Sequence, residues 1–208
     1  MSPIDDLIAG FDRSLKTLTG NMPSARPRPG QEAPERPMNE DERAHAAGLM
    51  RINHCGEICA QALYEGQAFT AQSENAKQTL LNAAAEESDH LQWCRERLDE
   101  LEAKPSVLDP LFYAASWALG AVTGLAGDKV SLGFVEATED QVVKHLDKHL
   151  QDLPADDLRS RAILDQMRTD EAHHADAAIS QGGQVFPKPI KDLMTLASNV
   201  MTRSTYKI

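Results

Sequence analysis

The stretch LLNAAAEESDHLQWCRERLDEL, residues 80–101, decides the fold. Leu80, Ala84, Leu91, Cys94, Leu98 and Leu101 follow steps of four and three, the stripe that a helix turns toward a partner helix. Glu87 stands on that stripe where an apolar residue is expected, with His90 three positions on and on the same face. An unpaired buried carboxylate costs several kcal/mol, so a charge in such a seam must be paired or hold a metal.

The arrangement occurs twice. Glu57 precedes Glu87 by 30 residues, and Glu139 precedes Glu171 and His174 by 32 and 35. Each glutamate interrupts an apolar seam: Met50, Glu57, Tyr64 in the first helix, Leu132, Val135, Glu139, Val142, Leu146 in the third, and Leu164, Met167, Glu171, His174, Ala178 in the fourth. The midpoints fall in Gln72-Ser73-Glu74-Asn75 and beside Leu153-Pro154-Ala155-Asp156-Asp157, so each pair stands about 22 Å from its own turn. Two helical hairpins therefore carry two carboxylates and one imidazole each at one level. Four carboxylates with two imidazoles suit a pair of iron or manganese ions better than zinc or calcium. The alternative is a network of salt-bridged core charges.

Near-duplicates need placing. Glu42 with His45 reads as an exposed first helical turn, too far from Glu57 to join the site. Asp170 with His173 is rotated off the Met167–Glu171 seam. Glu86 competes with Glu87 at a four-residue distance from His90 but lies off the heptad. Cys55 and Cys59, beside His54, offer a thiolate site, although small buried apolar residues are the ordinary reading of such cysteines.

The 208 residues suit one domain with short appendages, and 41% hydrophobic content suffices for a core. Few aromatics and abundant alanine favour close helix packing over a sheet. A net charge of −11 argues against nucleic acid as the partner. Three cysteines in no disulfide framework fit a reducing compartment, and Asp5 and Asp6 break any signal peptide.

Along the chain, Ile4, Leu7, Ile8, Phe11, Leu15 and Leu18 mark a short amphipathic N-terminal helix within 1–20. Residues 21–38, rich in Pro, Arg and Glu, read as a flexible linker. The bundle occupies 39–208. Its first helix starts after the N-cap Asn39 and ends near Ala71; the second covers 75–103. The third and fourth cover 128–152 and 155–181, the last closed by Gly182-Gly183. Between the second and third, Pro110 to Gly127 contains no charged residue. Its length approaches a membrane span, but its Pro and Gly residues favour a long crossover, the device that joins the hairpins of ferritin-like bundles. A last amphipathic helix, 190–203, reads as a lid on the bundle or as an interfacial helix. The fold class is all-α: a ferritin-like four-helix bundle with a long crossover and amphipathic helices at both ends.

Several stretches resemble the demethoxyubiquinone hydroxylases of ubiquinone biosynthesis. They are Arg51-Ile-Asn-His-Cys-Gly-Glu57, Gln61-Ala-Leu-Tyr-Glu-Gly-Gln67, Glu86-Glu-Ser-Asp-His-Leu-Gln-Trp93, Gly124-Leu-Ala-Gly-Asp-Lys-Val-Ser-Leu-Gly-Phe134 and Asp170-Glu-Ala-His-His174. The resemblance covers Asp41 to the C-terminus. It implies a carboxylate-bridged di-iron centre, with Glu57, Glu87 and His90 on one iron and Glu139, Glu171 and His174 on the other. Glu87 and Glu171 would bridge. It further implies a monooxygenase that hydroxylates a polyprenylated methoxy-benzoquinone ring with O2 and two electrons from a donor such as NADH. The protein would lie peripherally on the cytoplasmic face of the cell membrane, alone, as a homo-oligomer or in a biosynthetic complex. The crossover and final helix would dock there, with Phe112, Trp117, Leu193 and Met194 at the mouth of a tunnel. Glu136 matches no ligand position. The rival readings are a ferritin-like iron store or peroxide scavenger, and a non-catalytic helical scaffold.

Overall fold

A computed structural model describes residues 3–20, 24–35 and 37–208, without the side chains of residues 3, 4, 6 and 7. The proposed apolar positions Ile4 and Leu7, and residues 21–23 and 36 of the expected linker, therefore lie outside the described residues. Every element among the described residues is a helix: α1 (Pro3–Thr19), α2 (Glu40–Thr70), α3 (Glu74–Glu100), α4 (Asp109–Leu125), α5 (Asp128–Asp152), α6 (Leu158–Ser180) and α7 (Lys188–Thr205).

Four helices form the ferritin-like bundle as two hairpins, α2 with α3 and α5 with α6; α3 meets α6 across it. Local chemistry sets the boundaries. Asn39 and Glu42 exchange side-chain and backbone hydrogen bonds at the start of α2, so Glu42 is a cap. Ser73 caps α3 and Asp157 caps α6. The sequence placed the ends of two helices too far out. The second helix stops at Glu100, where Glu102 adopts positive φ before Pro105, and α6 starts only after the Asp157 cap.

The expected seams are buried except at Val142 and His174, which are half-buried. Leu80, Ala84, Glu87, Leu91, Cys94, Leu98 and Leu101 are all at most 6% exposed. One apolar cluster, including Met50, Trp93, Leu98, Leu146, Leu164 and Met167, lies on one side of the glutamate level. A second, with Tyr64, Leu80, Ala84, Val135 and Ala178, lies on the other.

The uncharged crossover is itself a helix. The chain leaves α3 at the end where Arg43 of α2 pairs with Glu102. It must reach the opposite end, where Asp128 accepts from Gln72 N in the α2–α3 turn. The 17 residues of α4 cover about 25 Å, enough for that return. They lie against α2 at close range, because a Cβ on Gly66 would collide with the Trp117 carbonyl and one on Gly120 with that of Leu63. Among the described residues no helix is long and apolar enough to cross a membrane.

Two further segments clasp the bundle. Residues 24–35 run along α3 and α6: Arg26 pairs with Asp89 and Asp170, and Glu35 with the buried Arg97 and with Arg159. Helix α7 covers α5. Its Lys191 pairs with Glu136 at 2.9 Å, which gives that carboxylate a partner outside the central cluster. Beyond its C-terminal end the Tyr206 ring sits on Gly48, with its hydroxyl 2.7 Å from His45 Nδ1.

Candidate metal centre

The six expected ligands come from four helices and meet between the two apolar clusters. Glu57, Glu87, His90, Glu139 and Glu171 are at most 3% exposed, and the His174 side chain is 10% exposed. The tightest group is Glu57, Glu87, His90 and Glu171, whose ligating atoms lie within 4.8 Å of one another. His174 joins through Nδ1, 3.1 Å from both Glu87 Oε1 and Glu171 Oε2. Glu139 faces the group from α5 and accepts a hydrogen bond from the Tyr64 hydroxyl.

Glu87 and Glu171 hold the central positions. His90 Nδ1 lies 3.0 Å from each of them and 3.7 Å from Glu57. Each imidazole Nδ1 has one hydrogen at most, so two imidazoles cannot satisfy four carboxylates. Glu57 Oε2 and Glu87 Oε1 are buried without a hydrogen bond. The electrostatics say the same. Burial pushes the Glu57 carboxyl up; the nearby His90 imidazole opposes this, and the charges of Glu87 and Glu171 add to it. Burial and the same two neighbours push Glu139 up. Burial works against charge on the imidazoles, yet the carboxylates overcome it: His90 is pushed well up, and His174 to about 12. The cluster is short of positive charge, and two divalent cations would balance its four carboxylates. The residues fit a metal pair.

Behind the cluster stands a support that the sequence reading set aside. Asp170 Oδ2 lies 2.9 Å from His90 Nε2, and Glu86 Oε2 lies 3.0 Å from His174 Nε2. Each carboxylate precedes a central glutamate and reaches the imidazole of the opposite hairpin. Such contacts fix ring orientation and leave Nδ1 for the metal. Asp170 is therefore engaged rather than idle, and Glu86 supports His174 rather than replacing Glu87. His173 is exposed, and His45 bonds to Tyr206 and to the Asp152 carbonyl, away from the site. Cys55, Cys59 and Cys94 are free thiols.

An apolar cavity of about 580 Å³ opens beside the cluster, and Glu57, Glu139 and Glu171 reach its wall. Phe112 and Leu119 of α4 and Ile190, Leu193 and Met194 of α7 line it. Trp117 does not: the close packing of α4 on α2 turns its ring onto Phe69, 5.6 Å between centroids.

Comparison with known proteins agrees with this geometry. Residues 44–205 match the family described as ubiquinone biosynthesis protein COQ7. A Pseudomonas fluorescens 3-demethoxyubiquinol 3-hydroxylase is 54% identical over 209 residues, covering 100% of this chain and 97% of that one. Proteins of the same name from Ectopseudomonas mendocina and Xanthomonas campestris are 55% and 53% identical, at 97% and 95% of their lengths.

Proposed function

The chain belongs to the COQ7 family of ubiquinone biosynthesis proteins, and from that premise we propose that it is a 3-demethoxyubiquinol 3-hydroxylase, an O2-dependent monooxygenase. The observation that carries the reading is the pairing of a cation-demanding cluster with an apolar cavity on its open side. An iron store has no use for such a route.

We assign two irons to the cluster. Glu57 and His90 would serve one, Glu139 and His174 the other, with Glu87 and Glu171 shared. When bound, the irons supply the activation of O2, which side chains alone cannot perform. The balance is ring C–H plus O2, two electrons and two protons, giving ring C–OH and water; a donor such as NADH supplies the electrons. The protein's own part is to hold the imidazoles through Asp170 and Glu86, to hold Glu139 through Tyr64, and to keep the ring in a dry pocket.

The polyprenyl tail of such a substrate places the enzyme on a bilayer, and we propose a peripheral position on the cytoplasmic face of the cell membrane. Exposed apolar side chains on α1 (Ile8, Phe11), α4 (Leu111, Leu119, Val122) and α7 (Leu193, Leu196, Val200) support this. With a net charge of −11, docking would rely on apolar burial rather than on attraction to anionic lipid.

Metal analysis with labelled oxygen tests the reading. Purified protein should carry two irons per chain and place one atom of ¹⁸O2 in a short-tailed demethoxyubiquinol. Unlabelled product, or full activity in metal-free protein, would overturn it.

A further inference from the structure

Asn53 lies one turn before Glu57 on α2, and both reach the cavity wall. The asparagine is 4% exposed, and its Oδ1 lies 2.9 Å from His149 Nδ1. Burial, with the charges of His145 and Lys148, pushes His149 down to about 3, so its ring is neutral. A neutral imidazole facing a carbonyl oxygen through Nδ1 carries its one hydrogen there. His145 packs against the same ring at 4.0 Å between centroids. The Asn53 amide is thereby oriented: Oδ1 is engaged from α5, and Nδ2 has no partner among the described residues. A buried amide N–H without an acceptor is unfavourable, and Asn53 lies on the wall of a largely apolar cavity.

We propose that the Asn53 side-chain amide donates a hydrogen bond to a ring oxygen of the bound quinol, setting which edge of the ring faces the carboxylate cluster. His149 is the positioning residue that aims it. This inference rests on the hydroxylase reading. The ligand it calls for is an aromatic ring with oxygen substituents, since the amide needs an acceptor and the surrounding walls need apolar surface. Four residues of helix separate Asn53 from Glu57, about 6 Å, so a ring oxygen on Asn53 leaves the ring itself beside the cluster.

The test is equilibrium binding of a short-tailed demethoxyubiquinol to metal-loaded protein without oxygen, by calorimetry. Asn53→Leu removes both functions of the amide. Asn53→Asp keeps an acceptor for His149 and removes the N–H. Both should bind roughly three- to tenfold more weakly than wild type with metal content retained, and Asn53→Leu should also melt lower because His149 loses its acceptor. His149→Phe should give a smaller loss. A phenol analogue lacking the partner oxygen should bind wild type and Asn53→Leu alike. Wild-type affinity in Asn53→Asp would mean that Asn53 only anchors His149, and would overturn the proposal. So would an undiminished difference with both mono-deoxy phenols. Failure of the wild type itself to bind the quinol would instead remove the substrate reading beneath it.

Discussion

Asp170 on α6 touches His90 on α3, while Glu86 on α3 touches His174 on α6. Each hairpin thus holds the other's imidazole in place, and the two halves of the cluster depend on one another. Arg26 adds a third layer, 2.8 Å from Asp170 Oδ2 and 2.6 Å from Asp89 Oδ2.

Asp170→Asn should leave the fold intact and weaken metal binding by about 10–100-fold. His173→Ala, at an exposed position one helical turn from Asp170, should leave metal content at the wild-type level. Metal titration of both variants checks this. Equal affinity in Asp170→Asn and wild type would show that the His90 contact has no role in ligation.

Glu87→Ala and Glu171→Ala should each lose both metals, because these carboxylates face both imidazoles. Glu57→Ala, whose carboxylate approaches only His90, should retain one of the two in part. Iron per chain by elemental analysis distinguishes the cases. Two retained irons in Glu87→Ala would exclude the shared position.

Gly120→Ala should destabilise the protein by about 1–3 kcal/mol, since the added methyl meets the Leu63 carbonyl and α4 must move off α2. Leu119 and Phe112 line the cavity from that helix, so quinol binding should weaken as well. Thermal melting and ligand titration read the two effects. An unchanged melting temperature would mean that α4 is free to shift.

Leu196→Glu should keep the fold and the metals, because Leu196 is 63% exposed and does not line the cavity. A charge at that point opposes insertion of α7 into an interface by roughly 1–3 kcal/mol. Vesicle binding and turnover of a long-tailed quinol should fall, while a short-tailed analogue should turn over normally. Equal losses with both substrates would move the docking surface elsewhere.

Glu100 carries part of the pH dependence of the clasp formed by residues 24–35, beside Asp89 and Asp170 on Arg26. Partial burial opposes its charge, but hydrogen bonds from Arg28 and Arg97 hold its carboxyl down at about 2. A folded-state value below the unfolded one means stability that is present above about 4.5 and lost as pH falls toward 2. Glu100→Gln should therefore melt below wild type at pH 7, with the difference closing through that window. A difference that stayed constant with pH would assign the effect to packing.

The glutamate level was legible because a charge in an apolar seam is a contradiction the fold must resolve, and Glu57, Glu87, Glu139 and Glu171 each posed it. The supporting carboxylates were not. Glu86 and Asp170 lie off their own helix's seam, and their partners stand on another hairpin, which periodicity within one helix cannot reveal. A signal was nevertheless present: both Glu-x-x-His units begin with an acidic doublet, Glu86-Glu87 and Asp170-Glu171. The rotation of α4 was hidden for another reason. An uncharged helix shows no polar face, so only the close contacts of Gly66 and Gly120 decide that Trp117 turns away from the cavity. Residues 24–35 look like a linker by composition, yet their arginines and glutamate find opposite charges on α3 and α6.

The cavity has a size that encloses one drug-sized molecule, about 580 Å³. A quinol head and the beginning of its tail would fill it. Further isoprene units would trail outside, beyond the walls that enclose the ring. The enzyme would then be blind to tail length, and whichever prenyl number a cell makes would be set by the enzyme that attaches the tail, not by the one that hydroxylates the ring.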